Sequence, residues 1–340
     1  MSAVSDSILT APKSRGPWAT ALNRLFRDRA AVAALIVFLL IVIVCLLAPA
    51  YAAWANTDPF TSSLDAIIKL NGQDVPVMEQ STEGLGLGYT PLGPTWQLGN
   101  YFLGADNQGR DVMARLLYGG LNSLFIAGMA TVLTLFFATL LGLAAGFFGG
   151  ITDMVISRFL DVLWAFPVYL LAISLSIVLI AQGLNLGIIV IESGSLWLPI
   201  FIIGIVYVPY VARPIRGQVL ALRESEFVLA AIGLGVPSHR ILFKDIFPNI
   251  STTLIVFVPI MMALNMITES ALSFLSIGVQ PPDASWGTII QDGQNLLYTR
   301  PMVALAPGIA IVITVLALNV LGDGLRDALD PRAKIRIGRS

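Results

Sequence analysis

Charge is scarce in this chain. Asp, Glu, Lys and Arg make up 12% of its 340 residues, against about 25% in an ordinary soluble domain. One histidine, His239, excludes a histidine-built metal cluster. One cysteine, Cys45, excludes an internal disulfide; it lies in an apolar run, where a small buried side chain is its ordinary role. The net charge of −1 gives no general affinity for nucleic acid. There is no Gly-x-x-x-x-Gly-Lys-[Ser/Thr] and no Gly-Lys pair anywhere, so a phosphate-cradling loop of that type is absent. No nucleophile–base pair or metal-ligand spacing stands out. We therefore assign no catalytic, cofactor-binding or metal-binding residue.

What the chain has is apolar length. Hydrophobic residues reach 56% and the mean hydropathy is +0.82, concentrated in blocks. A membrane span needs about 20 such residues. Six stretches qualify: 30–53, 121–148, 159–181, 196–211, 253–277 and 303–321. The fourth is short and runs toward Gly217. The expected fold is an all-α bundle of six transmembrane helices. The first stretch is longer than the 7–15-residue core of a signal peptide and is read as a retained anchor. Pro167, Pro209, Pro259 and Pro307 are expected to kink their spans.

The basic residues orient the bundle. Lys13, Arg15, Arg24, Arg27 and Arg29 precede the first span. Arg158 follows the second, and Arg213, Arg216, Arg223, Arg240 and Lys244 follow the fourth. Arg326, Arg332, Lys334, Arg336 and Arg339 follow the sixth. Those sixteen face only Lys69, Arg110, Arg115 and Arg300 in the alternate segments. Both termini are thus expected in the cytoplasm. The organisation reads as a cytoplasmic tail (1–29), a first helix (30–53), an extracytoplasmic region (54–120), a five-helix core (121–322) and a second cytoplasmic tail (323–340).

Two connecting segments exceed simple turns. The outer one carries Asn71-Gly72 and Gly93-Pro94 as turn signals, and Tyr89, Trp96, Tyr101 and Phe102 favour packing there. The other, 213–249, lies on the cytoplasmic side. Residues 221–233 have helical composition, Gly233 and Gly235 stop the helix, Pro237-Ser238 turns the chain, and an apolar patch from Ile241 ends at Pro248. The outline is helix, glycine turn, helix, either gripped by a partner or filling space beneath the bundle.

The run Glu226-Phe-Val-Leu-Ala230-Ala231-Ile-Gly233-Leu-Gly235, followed by Arg240-Ile-Leu-Phe-Lys-Asp245-Ile-Phe-Pro-Asn249, resembles the EAA loop of binding-protein-dependent ABC transporter permeases. Three further runs are similar to the peptide/nickel subfamily, the C partner of dipeptide and oligopeptide permease pairs: Phe102 to Val112 continuing to Gly119, Glu269 to Pro282 with Ser285-Trp-Gly287, and Leu321 to Arg332. The resemblance covers about 24–332. It implies a MetI-like permease fold in a bacterial inner membrane. It implies a second, homologous permease, two cytoplasmic ATPases that bind the ATP, and an extracytoplasmic substrate-binding protein. It also implies peptide as substrate, with nickel, glutathione and oligosaccharides as further candidates. Glu226, Phe227, Ala230, Ala231, Gly233, Gly235, Arg240 and Asp245 would form the ATPase-coupling loop. The chain departs from the family pattern at Leu229, where a Glu is usual, at Ile232, at Asp245 and at Phe247.

Other residues have two readings from sequence. Glu269, inside the fifth span, costs on the order of 2.5–3.5 kcal/mol unless partnered or wet. It faces the translocation path or a subunit interface, or it bonds Ser270, Ser273 or the 278–282 turn. Asp161 and Arg158, three apart, are placed for an ion pair, as a structural pin with Asp153. Gly142, Gly146, Gly149 and Gly150 suit close helix approach. Arg110 and Asp111 serve a structural salt bridge or contact the delivering protein. Two other functional classes compete. A gradient-driven transporter would show an internal repeat, and none is visible. An intramembrane enzyme would need a partner acid or histidine beside Glu269.

Overall fold

The computed structural model describes residues 17–80, 88–185, 187 and 190–329. Lys13, Arg15, Glu83, and the part of the C-terminal tail from Asp330 onward lie outside the described residues.

Helix α1 (Pro17–Leu25) precedes α2 (Arg29–Leu46). The Asp28 carboxylate caps α2, accepting from the Ala30 amide at 2.9 Å. The first expected span is in fact two helices: α2 stops at Leu47 and α3 (Ala48–Ala55) restarts with a proline in its first turn. The chain then makes two short hairpins. Strands β1 (Ile67–Leu70) and β2 (Gln73–Pro76) pair antiparallel around Asn71 and Gly72, both at positive φ, as a two-residue Asn-Gly loop requires. Strands β3 (Met78–Gln80) and β4 (Tyr89–Pro91) form the second.

Helix α4 (Val112–Phe148) has 37 residues. At about 1.5 Å per residue it is about 55 Å long, well beyond a ~30 Å hydrocarbon layer. It begins nine residues before the expected span because Asp111 caps it, accepting from the Met113 amide at 2.8 Å. The chain then turns into α5 (Gly150–Ala165) and α6 (Val168–Gln182), whose axes bend by 88°. The third expected span is therefore not one straight helix. Pro167 has no amide donor and drives Phe166 into extended backbone, φ −88° and ψ 137°, so the break is a sharp corner rather than a kink.

A minimal hairpin, β5 (Leu184–Asn185) and β6 (Val190–Ile191), leads to α7 (Trp197–Val206) and α8 (Val208–Arg223), bent by 42° just before Pro209. Next come α9 (Glu226–Gly233), α10 (Ser238–Ile241), a π-helical turn (Leu242–Ile246) and α11 (Phe247–Phe274). Helix α12 (Trp286–Gly293) and a 3₁₀ turn (Gln294–Leu296) precede α13 (Met302–Leu329). Pro259 and Pro307 sit within unbroken α11 and α13. Among the described residues, four helical runs are long and apolar enough to cross a membrane, and the total reaches six if each bent pair forms one span.

Helix α4 is the centre, packed against α7, α8 and α11. A Cβ on Gly146 would stand 2.7 Å from Val219 Cβ and 2.9 Å from the Arg216 carbonyl. One on Gly142 would stand 3.0 Å from the Ala212 carbonyl. Close approach of α4 and α8 thus needs both glycines. Gly149 and Gly150 differ: at φ +66° and +54° they make the turn between α4 and α5.

Candidate functional site: a loop elbow, a buried carboxylate and a charge quartet

The 213–249 segment forms an elbow at one end of the bundle. Residues 213–223 complete α8, and the chain leaves the bundle through α9. Val228 is the inward anchor of α9 and is fully buried, as is Ile246; Ile241 is 1% exposed. Gly235, at φ +75°, reverses the chain, its amide bonding the Ile232 carbonyl at 2.9 Å and that of Val236 the Ala231 carbonyl at 3.0 Å. The second helical piece of the outline begins at α10 but does not end at Pro248. It runs through the π turn directly into α11. Pro248 explains the turn: it lacks an amide and would crowd the carbonyl four residues back. The wider π turn, in which the Phe247 amide bonds the Leu242 carbonyl, absorbs that defect.

Of the loop residues singled out from sequence, Glu226, Phe227, Ala230, Gly233, Gly235 and Arg240 are exposed, while Ala231 and Asp245 are half-buried. The elbow also displays apolar side chains: Leu229 is 55% exposed, Ile232 50% and Leu234 83%. An eight-residue helix has little stability of its own, so α9 is held by Val228 and its two hinges while its other face is bare.

Two ion pairs brace the same end. The Arg216 Nη2 donates to Asp153 at 2.6 Å beside a second bond from Nε. Arg213 pairs with Asp161 at 2.9 Å and its guanidinium lies 5.5 Å from the Trp164 ring. Asp161 is therefore bound by α8 rather than by Arg158 of its own helix. Packing of α5 on α8 gives Asp161 its single bond from Arg213 and Asp153 its bidentate one from Arg216, partners that intrahelical spacing could not reveal.

Mid-bundle, Glu269 has no exposed surface. Its Oε1 accepts from Ser273 at 2.7 Å and its Oε2 from Ser123 at 2.9 Å, with Ser270 at 3.4 Å. Ser273 in turn accepts from the Val279 amide at 3.0 Å, and Ser123 from the Trp286 amide at 3.1 Å. The carboxylate is thus the hub of a bridge from α11 to α4 and to the 278–286 turn. Ser270 and Ser273 were expected partners; Ser123 of α4 was not, because nothing in sequence aligns two helices 146 residues apart. Nearby, Asn265 bonds Thr131 at 3.0 Å and the Tyr207 hydroxyl bonds Thr268 at 2.8 Å.

At the end of the bundle that carries the hairpins, Arg110 binds Asp106 at 2.7 Å and Asp292 at 3.0 Å. Arg115 binds Asp292 at 2.9 Å, lies 3.2 Å from Asp106, and donates to the Pro59 carbonyl at 3.1 Å. Asp106 and both arginines are buried. Burial raises the Asp292 carboxyl while the two arginines beside it lower it; burial is the larger effect. Arg110 does make a structural salt bridge, but not with Asp111, which caps α4 instead. Burial pushes the Asp111 carboxyl up to about 6, against its bonds from the Met113 and Ala114 amides. Among the described residues, no group of three or more His, Cys, Asp and Glu could hold a metal ion.

Long apolar helices, a loop elbow at one end and polar bridges buried between spans define a multi-pass membrane protein. Residues 138–335 match the family model described as "Binding-protein-dependent transport system inner membrane component", and 16–68 match the "N-terminal TM domain of oligopeptide transport permease C". The chain belongs to this family of inner-membrane transport components. It is 33% identical to the dipeptide transport system permease protein DppC of Alkalihalophilus pseudofirmus, over 94% of this chain and 91% of that protein. It is also 33% identical to the oligopeptide transport system permease protein OppC of Haemophilus influenzae, over 94% and 90%. The glutathione transport system permease protein GsiD of Pectobacterium atrosepticum is similar to the same degree, over 94% and 93%. A chain of the MetNI methionine ABC transporter, solved in inward-facing conformations, superposes with a TM-score of 0.51 at 17% identity, over 64% of this chain and 98% of that chain. That likeness establishes the MetI-like fold.

Proposed function

We propose that this chain is one of two channel-forming subunits of an ATP-driven importer for peptides, and is not an enzyme by itself. The observation that carries the reading is the bare apolar face of α9, with Leu229, Ile232 and Leu234 outward and Val228 inward. A solvent-facing apolar cluster at the end of a membrane bundle is what a protein partner would cover. In this reading α9 seats in a cytoplasmic ATPase subunit, which binds the ATP, with Phe227, Ala230 and Ala231 in the seat and Glu226, Arg240 and Asp245 at its margin. Gly233 and Gly235 end the helix so that it stands off the bundle. The basic residues support placing this loop and both termini in the cytoplasm.

The mechanism follows from the connections. Helix α9 is continuous with α8 through two residues and with α11 through α10 and the π turn. A displacement imposed on α9 passes to α8, which is pressed against α4 through Gly142 and Gly146, and to α11. Alternating access would arise as these spans rotate against a second, homologous permease, with a substrate-binding protein delivering solute from the opposite side. Peptide as substrate rests on what the relatives are named for. Affinity purification of the chain from membranes tests the reading. It should bring down two ATPase polypeptides and a second permease, and Leu234→Glu, at the most exposed apolar side chain of the elbow, should lose the ATPases but keep the permease. Uptake driven by an ion gradient with no ATPase bound would contradict it.

A further inference from the structure

An apolar groove of about 700 Å³ opens where the last half of α4 faces the π turn and the start of α11. Leu140 and Phe136 on α4, Phe243 on the π turn and Val258 on α11 mark its walls. The α4 wall extends from Leu135 to Phe148, about 20 Å at ~1.5 Å per residue. One leaflet of a ~30 Å hydrocarbon layer is about 15 Å deep, so the groove matches a single acyl chain in length. Basic residues lie close to it in the chain. His239 lines it, and Arg240 and Lys244 belong to the same short segment. At the end of α4, the Arg223 guanidinium lies 2.8 Å from where a Gly149 Cβ would be, one residue past the Phe148 wall. Arg223, Arg240 and Lys244 make no ion pair among the described residues. Asp245, Glu224 and Glu226 are the acidic groups of the same stretch.

We propose that this groove binds the acyl chain of an anionic phospholipid, its headgroup held by Arg223, Arg240 and Lys244. An apolar slot about as long as an acyl chain, with Arg223 beside its Phe148 end and Arg240 and Lys244 adjacent in the chain to its His239 and Phe243 walls, fits a lipid with a negative head. The lipid then lies between α4 and the root of the coupling elbow. The side of the membrane assumed here rests on the orientation given above.

Photolabelling tests the site. The assembled transporter is placed in phosphatidylcholine vesicles containing a trace of phosphatidylglycerol with a photoreactive acyl chain, or the phosphatidylcholine analogue. Adducts are mapped by mass spectrometry. The phosphatidylglycerol probe should label 135–148 and 254–258 about five-fold more than its analogue. Arg223→Gln with Lys244→Gln should erase that difference, and Ala144→Trp should reduce labelling by both probes. Equal labelling by the two probes in the unmodified protein overturns the headgroup assignment. An absence of adducts in the groove, or crosslinks from it to a second permease, overturns the site. If a variant fails to assemble, the comparison of probes on unmodified protein still decides. Loss of the ATPases with labelling intact would count against the proposed function and leave this site standing.

Discussion

Glu269 is ringed by serine hydroxyls and meets no solvent, so its replacement separates a hub from a path. Glu269→Leu leaves Ser123 and Ser273 without their acceptor, at about 1–3 kcal/mol for each buried group stranded. We predict a fall of roughly 5 °C or more in the thermal midpoint of the detergent-purified protein. Glu269→Gln keeps one carbonyl oxygen and should fall less. A Glu269→Leu protein that melts normally yet transports nothing would return Glu269 to the translocation path. Asp111 gives a second test at this scale, because its carboxyl is raised by burial from 3.8 to about 6. An acid raised by folding binds more protons folded than unfolded. Its ionisation therefore destabilises the fold as pH climbs from about 4 through about 6, by about 3 kcal/mol in all. Asp111→Asn keeps an oxygen for the Met113 amide and cannot ionise. Its thermal midpoint relative to the unmodified protein should be higher at pH 8 than at pH 5; a difference independent of pH would refute the buried-charge account.

The elements divide by how local their causes are. Turns and breaks were readable: Asn71-Gly72 makes its hairpin, Gly235 its reversal, and Pro167 its break. Their depth was not. That Pro167 makes an 88° corner depends on α5 and α6 packing on different neighbours, and the π turn that merges α10 into α11 depends on hydrogen bonds that no residue count encodes. The start of α4 at Val112 was missed because hydropathy ignores the amphipathic turn beneath Asp111. The α4–α8 contact makes a prediction of its own. Gly146→Val places a Cβ and two methyls against Val219 and the Arg216 carbonyl and should cost about 1–3 kcal/mol by overpacking. Gly150→Ala meets no atom within 4 Å, and what it loses is backbone freedom at φ +54°. A thermal-shift series in detergent should rank Gly146→Val well below Gly142→Ala, and an unchanged midpoint for Gly146→Val would contradict the packing assigned to α4.

For the whole molecule, six apolar stretches, the charge asymmetry and four ordered motifs made the class legible. The three polar clusters were not, since each joins spans far apart in sequence: Ser123 to Glu269, Arg216 to Asp153, and Arg110 and Arg115 to Asp292. Helix α4 takes part in the Ser123–Glu269 and Arg115–Asp292 bridges and packs on α8 through Gly142 and Gly146 beside the elbow, so motion imposed there has a route across the membrane. The account stands on α9 being held by a motor in the cytoplasm, and Leu229→Cys tests that directly, since the native Cys45 is buried. The introduced thiol should resist a membrane-impermeant maleimide in intact cells, react in inverted vesicles stripped of ATPase, and crosslink to an ATPase subunit in the assembled transporter. Labelling from outside intact cells, or a loop that reacts equally with and without the ATPase present, would contradict it.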